Sequence, residues 1–455
     1  MPLTANSGNL KGDDSKSEKI TVSVVECNRI GILHACLLAE AEFKVTCIDS
    51  DRTVVERLSH GRVQFLKQEI EPILRKNLEN GRMQFTCNLE DAVSQSNVIF
   101  VTTQTTVNER GKIDYSNIEK TLKRIGSHMQ KNALVIVTSI IGVSVTESLL
   151  KETLESASGF RVGVDCYLAY SPVPFPEEQT LGSLAKCRRI VAAYDTTSLE
   201  KALKVIGAII KERPVATLNF KAAASAALFS VVYRNVGFAL TNELARFCEK
   251  TGVDYLTVQD LLSPFVETFH QPTLDIFGEN VLLMLLEEAE DRNVKLKVLQ
   301  ASLNSSKENV RHGVALVQEA LKTCGKTVRR AKIAILGASQ TRNMTDNPKS
   351  SLKNFVKTLE RKGAKLSLYD PYLYRKKADD ERRTLEESLM RAVEGADCIV
   401  IFTGHDQFKR LNLEKTKLLA KMPAAIVDFE GIMDPSEVES EGFVYRGLGR
   451  GVWKK

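Results

Sequence analysis

The chain has 455 residues and a mass of 50.6 kDa, which is more than one hydrophobic core usually spans, so we expect two or three domains. Its composition is 43% hydrophobic and 26% charged, with a formal net charge of +6 and charges of both signs alternating along the sequence. This balance predicts a soluble globular protein with a mixed-sign surface and argues against a nucleic-acid partner. No uninterrupted apolar stretch reaches the roughly 18 residues of a membrane span, so no membrane partner is expected.

Residues 1–18 contain no apolar run that could serve as a signal peptide, and their Ser, Gly, Asn, Asp and Lys content predicts a disordered leader. We therefore expect a cytoplasmic protein. The nine cysteines show no CxxC or Cys/His spacing, and their odd number argues against a closed disulfide framework. Free thiols and no zinc site are the prediction.

Apolar, β-branched runs alternate with helix-length segments through the first part of the chain. Lys19–Glu26 is predicted as a strand, followed by a helix over Ile30–Glu40 and a second strand over Lys44–Asp49. Further strands are predicted at Val98–Thr102, Leu134–Ser139 and Cys166–Tyr170. This order predicts an α/β, Rossmann-type domain with a doubly wound sheet over residues 19–205.

A long helix is predicted at 220–250, where the sequence is FKAAASAALFSVVYRNVGFALTNELARFCEK. Its apolar residues are too many and too widely distributed around the helix for a single intramolecular face; they include Ala224, Leu228, Val231, Val232, Val236, Phe238 and Leu240. We expect a helical central domain, residues 206–325, that forms a homodimer or a heterodimer with a partner. The alternative is that the flanking domains bury the helix from both sides.

A second alternation of strands and helices follows over residues 326–455 and predicts a C-terminal Rossmann-like domain. Its predicted strands are Ala331–Gly337, Lys365–Asp370, Cys398–Thr403 and Ala425–Asp428. The glycine-rich segment Gly447–Gly451 has no helix after it, so a terminal turn is favoured over a phosphate-binding loop.

Several short motifs occur in a fixed order along residues 19–451. They are Asp49 after the second strand, Thr105-Thr106 with Gly111-Lys112-Ile113-Asp114, Ser171-Pro172-Val173, Asn242-Glu243 with Cys248-Glu249-Lys250-Thr251-Gly252-Val253-Asp254, Ile335-Leu336-Gly337 with Asp346, and Asp370-Pro371-Tyr372. The chain thereby resembles the UDP-glucose/GDP-mannose dehydrogenase family, which includes UDP-N-acetylmannosamine dehydrogenases, as a degenerate member. The resemblance implies an NAD-binding domain, a long dimer-forming helix and a UDP-binding domain.

The dinucleotide-binding turn of such a fold needs G-x-G-x-x-G, and residues 26–31 are ECNRIG. Gly31 remains, and Glu26 would place a carboxylate beside the pyrophosphate. The candidate cofactor-binding residues are Gly31, Asp49 and Thr105, each with a structural alternative: helix packing for Gly31, a solvated helix cap for Asp49, a hydrogen-bonded loop for Thr105. We expect no cofactor, or NAD if the chain is an active enzyme.

The resemblance also implies an alcohol-to-carboxylate oxidation in which a cysteine thiolate holds the aldehyde intermediate. No cysteine lies between Cys248 and Cys324, and the expected thiol position is near Ile276. The other implied groups are substituted as well: the lysine by Ala227, the asparagine by Val231, the aspartate by Asn280, the glutamate by Val173, and the Ser-Thr-Val-Pro loop by Ser139-Ile140-Ile141-Gly142. We identify no catalytic residue.

Replacement chemistry would need other acids or bases near these positions. Glu177, Glu178 and His270 are the candidates, although a solvated glutamate pair and a loop histidine are the simpler interpretations.

In the UDP-binding half, Gln340-Thr341 stand where the resemblance implies Phe-Lys, and Pro348 where it implies an arginine, which predicts weakened nucleotide-sugar binding. Arg342 and Lys349 could compensate, but surface charges are the simpler interpretation.

The leading hypothesis for function is a non-catalytic homologue that acts as a binding, regulatory or scaffold subunit. The alternative is a divergent NAD-dependent UDP-sugar dehydrogenase with relocated catalytic groups.

Overall fold

The computed structural model describes residues 20–108, 112–175, 179–266, 270–373 and 385–451. The chain forms two compact units: the first comprises Met1–Val232 and Gly278–Lys295, and the second comprises Tyr233–Phe277 and Leu296–Lys455. The predicted leader lies outside the described residues. The predicted domain boundaries near 205 and 325 differ from this division, because the border between the units falls inside the long central helix.

The first unit is an α/β fold. Its strands are β1 Thr21–Val25, β2 Lys44–Ile48, β3 Met83–Thr86, β4 Val98–Val101, β5 Thr106–Val107, β6 Ile113–Asp114, β7 Leu134–Val137, β8 Tyr167–Tyr170, β9 Ile190–Ala193 and β10 Val215–Thr217. Its helices are α1 Arg29–Glu40, α2 Arg52–Ser59, α3 Lys67–Glu79, α4 Leu89–Ser94, α5 Ser116–His128, a π-helical turn Ser148–Glu152, α6 Thr153–Ser158, α7 Leu181–Lys186, α8 Thr196–Ile209 and the first part of α9 Phe220–Thr251, with α11 Glu279–Asp291.

Eight of these strands form one sheet in the order β10-β9-β8-β7-β4-β1-β2-β3. The strands from β3 to β8 pair in parallel, and β9 joins β8 in the antiparallel direction. The apolar runs of β4 and β7 are buried along their whole length, as expected of central parallel strands covered on both faces. The predicted Rossmann-type sheet is confirmed, and the short strands β3, β5, β6, β9 and β10 were not predicted.

The second unit contains the C-terminal sheet. Its elements are the second part of α9, α10 Tyr255–Leu262, α12 Lys297–Thr323, β11 Lys332–Leu336, α13 Ser350–Arg361, β12 Lys365–Tyr369, α14 Leu389–Val393, β13 Cys398–Ile401, α15 Asp406–Lys409, α16 Leu413–Leu419, β14 Ala425–Asp428, α17 Pro435–Ser440 and β15 Val444–Gly447. The five strands are parallel in the order β12-β11-β13-β14-β15. This confirms the predicted Rossmann-like C-terminal fold, with β15 as an addition.

Helix α9 has two apolar faces with different surroundings. Ala224, Leu228 and Val231, which were predicted from the sequence to lie on an intermolecular surface, are fully buried within the chain. A different row of large apolar side chains is exposed, and its members are Phe229, Tyr233, Leu240, Leu244 and Phe247. Because this row repeats at helical spacing, we call it the α9 stripe. Among the described residues α9 alone is long and apolar enough for a membrane span, a test that core helices of soluble proteins also pass.

Candidate functional site

The carboxyl ends of β1, β4, β7 and β8 bring four loops to one edge of the first sheet. The turn after β1 spans Glu26–Gly31, and the loops after β4, β7 and β8 begin at Thr102, Thr138 and Ser171. The strand order reverses direction between β1 and β4, and such a switch point is where doubly wound folds bind ligands. This edge is therefore the candidate site of the first unit.

The turn after β1 has a glycine-type backbone at Glu26, a position that is not occupied by glycine. Glu26 has φ of 75°, in the left-handed region that non-glycine residues rarely adopt. Asn28 caps α1, since its Oδ1 accepts from the Gly31 N–H at 2.9 Å, while its Nδ2 donates to the Thr102 carbonyl at 2.7 Å. The side chain of Asn28 thus accepts a hydrogen bond from the Gly31 N–H, a backbone group of the kind with which such a turn would bind a phosphate.

Glu26 makes the turn acidic. Its pKa is raised, first because burial penalises the carboxylate and further because Asp49 repels it, while hydrogen bonds from Thr103 and Asn28 act in the opposite direction. A pyrophosphate placed here would meet two acidic side chains instead of bare backbone.

Asp49 is not the helix cap predicted from the sequence. Its Oδ2 accepts from the Cys27 N–H at 3.0 Å and its Oδ1 from the Asp51 N–H at 2.9 Å. Asp51 caps α2 instead, through Thr53. The strand-end carboxylate therefore closes the turn after β1, a contact that local propensity cannot reveal because the two residues are 22 positions apart.

The other two candidate residues have structural roles, as their simpler interpretations predicted. A side chain at Gly31 would place its Cβ 2.0 Å from the Glu26 carbonyl oxygen, so this glycine allows α1 to approach β1. Thr105 donates its hydroxyl to the Ile140 carbonyl at 3.2 Å. The structure brings Gly31 and Asp49 together at the same turn, and links Thr105 to the loop after β7.

Apolar side chains occupy the positions that the resemblance assigns to the reacting groups in the first unit. Val173 is 2% exposed, and Ala227 and Val231 are 0% exposed. A methyl group of Val231 packs onto Gly278, where an added Cβ would lie 2.6 Å from it. Asn280, in contrast, is exposed in the first turn of α11. The first three positions are therefore buried and apolar, and none of them offers a polar group.

The segment from His270 to Phe277 belongs to the second unit and is packed against α9. The His270 ring lies 4.3 Å from the Phe238 ring, between centroids, and also covers Gly237. Burial lowers the pKa of His270, and the nearby Arg234 lowers it further. Ile276 is half-buried in this segment. These contacts agree with a packed loop histidine, whereas Glu177 and Glu178 lie outside the described residues.

A buried polar network behind the candidate site was not predicted. The Arg189 guanidinium is 1% exposed and donates to the Ser171 carbonyl at 2.6 Å, to the Ser171 hydroxyl at 3.0 Å, and to His34 Nε2 at 3.1 Å. His34 Nδ1 bonds the Ile30 carbonyl, which leaves Nε2 as the acceptor. Burial lowers the pKa of His34 to about 3, with Arg189 contributing, so the ring is neutral. The network holds the start of the loop after β8.

Lys349 and Arg342 of the second unit are both paired within the protein. Lys349 Nζ lies 2.6 Å from a Glu430 oxygen and 3.8 Å from Asp275, with its side chain 12% exposed. The prediction of a surface charge is wrong for Lys349, although it fits Arg342, which pairs with Asp406 at 2.7 Å in a solvent-accessible position. Both cations already have a carboxylate partner. Either one would have to break its ion pair before it could bind a nucleotide phosphate in place of the arginine or lysine that the resemblance implies.

The loop after β11 is closed by its own hydrogen bonds. Asp370 Oδ2 accepts from the backbone N–H groups of Ala338 and Ser339, and His405 Nε2 lies 3.1 Å from both Asp370 and the Ser339 hydroxyl. His405 Nδ1 accepts from the Asn343 N–H at 2.9 Å. Because Ser339 and Asp370 share one nitrogen of the ring, the three do not form a proton relay.

The glycine-rich segment after β15 is a terminal turn, as predicted. The Gly449 N–H donates to Glu249 at 2.8 Å, the Gly449 carbonyl accepts from Tyr255, and Arg450 pairs with Asp254 at 3.0 Å. Its backbone groups are thus used to hold the end of α9 and the start of α10.

Comparisons with known proteins agree with this architecture. Residues 20–211 match the NAD binding domain of the UDP-glucose/GDP-mannose dehydrogenase family, and residues 334–435 match its UDP binding domain. The UDP-N-acetyl-D-mannosamine dehydrogenase of Pyrococcus horikoshii is 27% identical over 94% of this chain and 99% of its own length. The UDP-glucose 6-dehydrogenase TuaD of Bacillus subtilis is 24% identical over 94% of this chain and 93% of its own length.

Solved structures give the same result. The UDP-D-ManNAc dehydrogenase of Pyrococcus horikoshii superposes with a TM-score of 0.84 at 26% identity, covering 95% of this chain and 100% of that one. A UDP-glucose dehydrogenase of Pyrobaculum islandicum shares the fold, with a TM-score of 0.83 at 20% identity over 97% of this chain and 100% of that one. Both halves of the fold and both family domains are present in the predicted order, and the chain belongs to the UDP-glucose/GDP-mannose dehydrogenase family.

Proposed function

We propose that this chain is a non-catalytic member of its family, acting as a binding, regulatory or scaffold subunit. The observation that carries the proposal is the burial of Val173, Ala227 and Val231 at positions where the resemblance implies a glutamate, a lysine and an asparagine. A buried alkyl group can neither transfer a proton nor donate a hydrogen bond to a developing oxyanion. The expected thiol position, near Ile276, is likewise apolar.

The turn after β1 supports the same proposal for the cofactor. Asn28 uses the Gly31 N–H, Asp49 uses the Cys27 N–H, and the Glu26 carboxylate adds repulsion toward a pyrophosphate. These residues do not fit NAD in the pose of a glycine-rich turn. We infer that NAD binds weakly or not at all.

The second candidate is a divergent NAD-dependent UDP-sugar dehydrogenase with relocated catalytic groups. Its support is the match to the family's NAD binding domain and to relatives named dehydrogenases along 94% of the chain. It requires a new acid or base, and the packing of His270 against Phe238 gives that residue a structural role already.

Two measurements separate the candidates. Purified protein is mixed with NAD and UDP-glucose, UDP-N-acetylmannosamine or UDP-N-acetylgalactosamine, and NADH formation is followed by absorbance; we expect none. Calorimetry with NAD is expected to show no binding with a micromolar dissociation constant. Such a constant would correspond to a binding free energy of about −8 kcal/mol. Turnover that persists in an Ile276→Ala variant but is lost in His270→Gln would establish the second candidate.

A designed variant serves as a positive control for the turn. In Glu26→Gly/Asn28→Gly the carboxylate and the capping amide are removed, and the Gly31 N–H becomes available to phosphate. This variant should bind NAD more tightly than the natural protein and still form no NADH. If it binds no better, the weak binding has another cause than the turn.

We further propose a homodimer formed through the α9 stripe. The row of Phe229, Tyr233, Leu240, Leu244 and Phe247 exposes aromatic and aliphatic surface along the helix, and exposed apolar patches of this kind mark protein interfaces. A two-fold axis across the helix would pair the stripe with itself, since the same residues then meet on both sides. The residues that carry this proposal replace those named from the sequence alone, of which only Leu240 belongs to the stripe.

A further inference from the structure

Six cations gather at the edge of the C-terminal sheet where β11 and β12 begin. They are Arg329, Arg330, Lys332, Arg361, Lys362 and Lys365, and we call them the basic edge. All but the half-buried Lys332 are exposed. The mixing of charges along the sequence did not predict this cluster, because its members come from two segments about thirty residues apart.

Backbone contacts hold the two segments together. Lys332 and Lys365 are register partners at the starts of parallel strands, the Arg330 N–H donates to the Gly363 carbonyl, and the Lys365 N–H donates to the Ala331 carbonyl. The Arg329 side chain lies over Gly363, whose added Cβ would be 3.3 Å from Arg329 Cγ. Adjacent strands are about 4.8 Å apart, so the backbones of the register partners Lys332 and Lys365 lie closer together than a Debye length at physiological salt.

The side chains of the basic edge make few polar contacts with the rest of the described chain. Within the part of the chain that the structure describes, none of the six cations is ion-paired with a carboxylate; Lys332 donates to the backbone carbonyl of Glu394. Arg361 and Lys362 lie at the C-terminal end of α13, where the negative end of the helix dipole stabilises both positive charges. Among the described residues, the side chains of Arg329, Arg330 and Lys365 have no hydrogen-bonded or ion-paired partner, although the whole chain carries a formal net charge of only +6.

We propose that the basic edge is a docking surface for an anionic lipid bilayer. A lipid surface requires only clustered cations, each of which strengthens association roughly fivefold. A nucleic acid would meet the same cations through its phosphates, and arginine can also read guanine. The sequence pI of about 8.7, however, lies below the values above about 9 that are typical of nucleic-acid-binding domains, and the segments KTVRRAK at 326–332 and RKGAK at 361–365 contain no aromatic residue on which a base could stack. These features favour a membrane surface over a nucleic acid. The proposal is independent of the proposed function, because the edge lies where the strands begin, opposite the ends that carry Ser339 and Asp370.

The test is cosedimentation of the full chain with vesicles of phosphatidylglycerol and phosphatidylcholine in equal parts, compared with vesicles of phosphatidylcholine alone. The charge-reversed variant Arg329→Glu/Arg330→Glu/Lys362→Glu is compared with the matched control Lys120→Glu/Lys204→Glu/Lys211→Glu, which reverses three exposed lysines of the first unit. Circular dichroism verifies that both fold. If the reversed variant does not, Arg329→Gln/Arg330→Gln takes its place.

We expect the natural protein and the control to bind the anionic vesicles at about 50 mM salt and to be released at about 500 mM. The reversed variant should bind at least tenfold more weakly, and no protein should bind the neutral vesicles. The proposal is overturned if the natural protein stays in solution with anionic vesicles at low salt, or if the control loses as much binding as the reversed variant. Binding to a DNA duplex without binding to vesicles would also overturn it and identify a nucleic-acid surface instead.

Discussion

Mild acid should destabilise the first unit through His34. The imidazole is fully buried, and its pKa is lowered from 6.5 to about 3 by burial and then by Arg189. The unfolded chain therefore binds a proton at His34 near pH 5, whereas the folded chain does not. The stabilisation is present above the unfolded pKa of 6.5 and is lost as the pH falls toward 3. Between about pH 7 and pH 5 this one group should cost about 2 kcal/mol of unfolding free energy.

The assay is urea unfolding of the natural protein and of a His34→Gln variant at about pH 7 and pH 5. Glutamine does not titrate, and its side-chain oxygen can accept from Arg189 in place of Nε2. The variant should show a pH dependence smaller by about 2 kcal/mol, whatever its stability at neutral pH. Since all other titrating groups are common to both proteins, equal losses of stability on acidification would refute the reasoning.

Three further predictions concern stability and assembly. Glu26→Gly should raise the unfolding free energy by about 0.5–1 kcal/mol in urea unfolding, because glycine relieves the left-handed backbone at φ 75°; a loss would show that the carboxylate is needed. Lys349→Met should cost about 3 kcal/mol, since it leaves two carboxylates without their buried cation, while the exposed pair lost in Arg342→Met should cost less than about 1 kcal/mol. In light scattering, Tyr233→Glu should convert a dimer to folded monomers because Tyr233 is 81% exposed on the α9 stripe; a natural protein that is already monomeric contradicts the dimer.

Periodicity was sufficient for the long elements of the fold. The strands predicted at 98–102 and 134–139 correspond to β4 and β7, and the helix predicted at 220–250 corresponds to α9 within one residue at its end. Short strands such as β9 and β10 were missed because three or four residues give too few repeats for a period to be detected. Strand β9 exists because it pairs with β8, and β10 because it pairs with β9, rather than because of local sequence.

In the candidate site, too, features set by residue type were predicted from the sequence, and contacts between distant residues were not. The loss of the glycines at 26 and 28 and the packing role of Gly31 follow from residue type alone. The partner of Asp49 and the burial of Lys349 depend on residues brought close by the fold, so the cap and the surface charge predicted for them were wrong. The exposed face of α9 was also misplaced, because a helix that is apolar all round does not reveal which side its own unit covers.

The turn that contains Gly449 has a consequence for the order of folding during synthesis. The Gly449 N–H donates to Glu249, which precedes it by 200 residues. The Gly449 carbonyl accepts from the Tyr255 N–H, and Arg450 forms an ion pair with Asp254. The end of α9 and the start of α10 therefore leave the ribosome long before Gly449 and Arg450, with which they form these contacts. At typical translation rates of about 5–20 residues per second, this part of the chain waits on the order of 10 seconds or more for its last contacts. During that interval the unfinished end of α9, including the exposed Phe247, is available to chaperones and to other nascent chains.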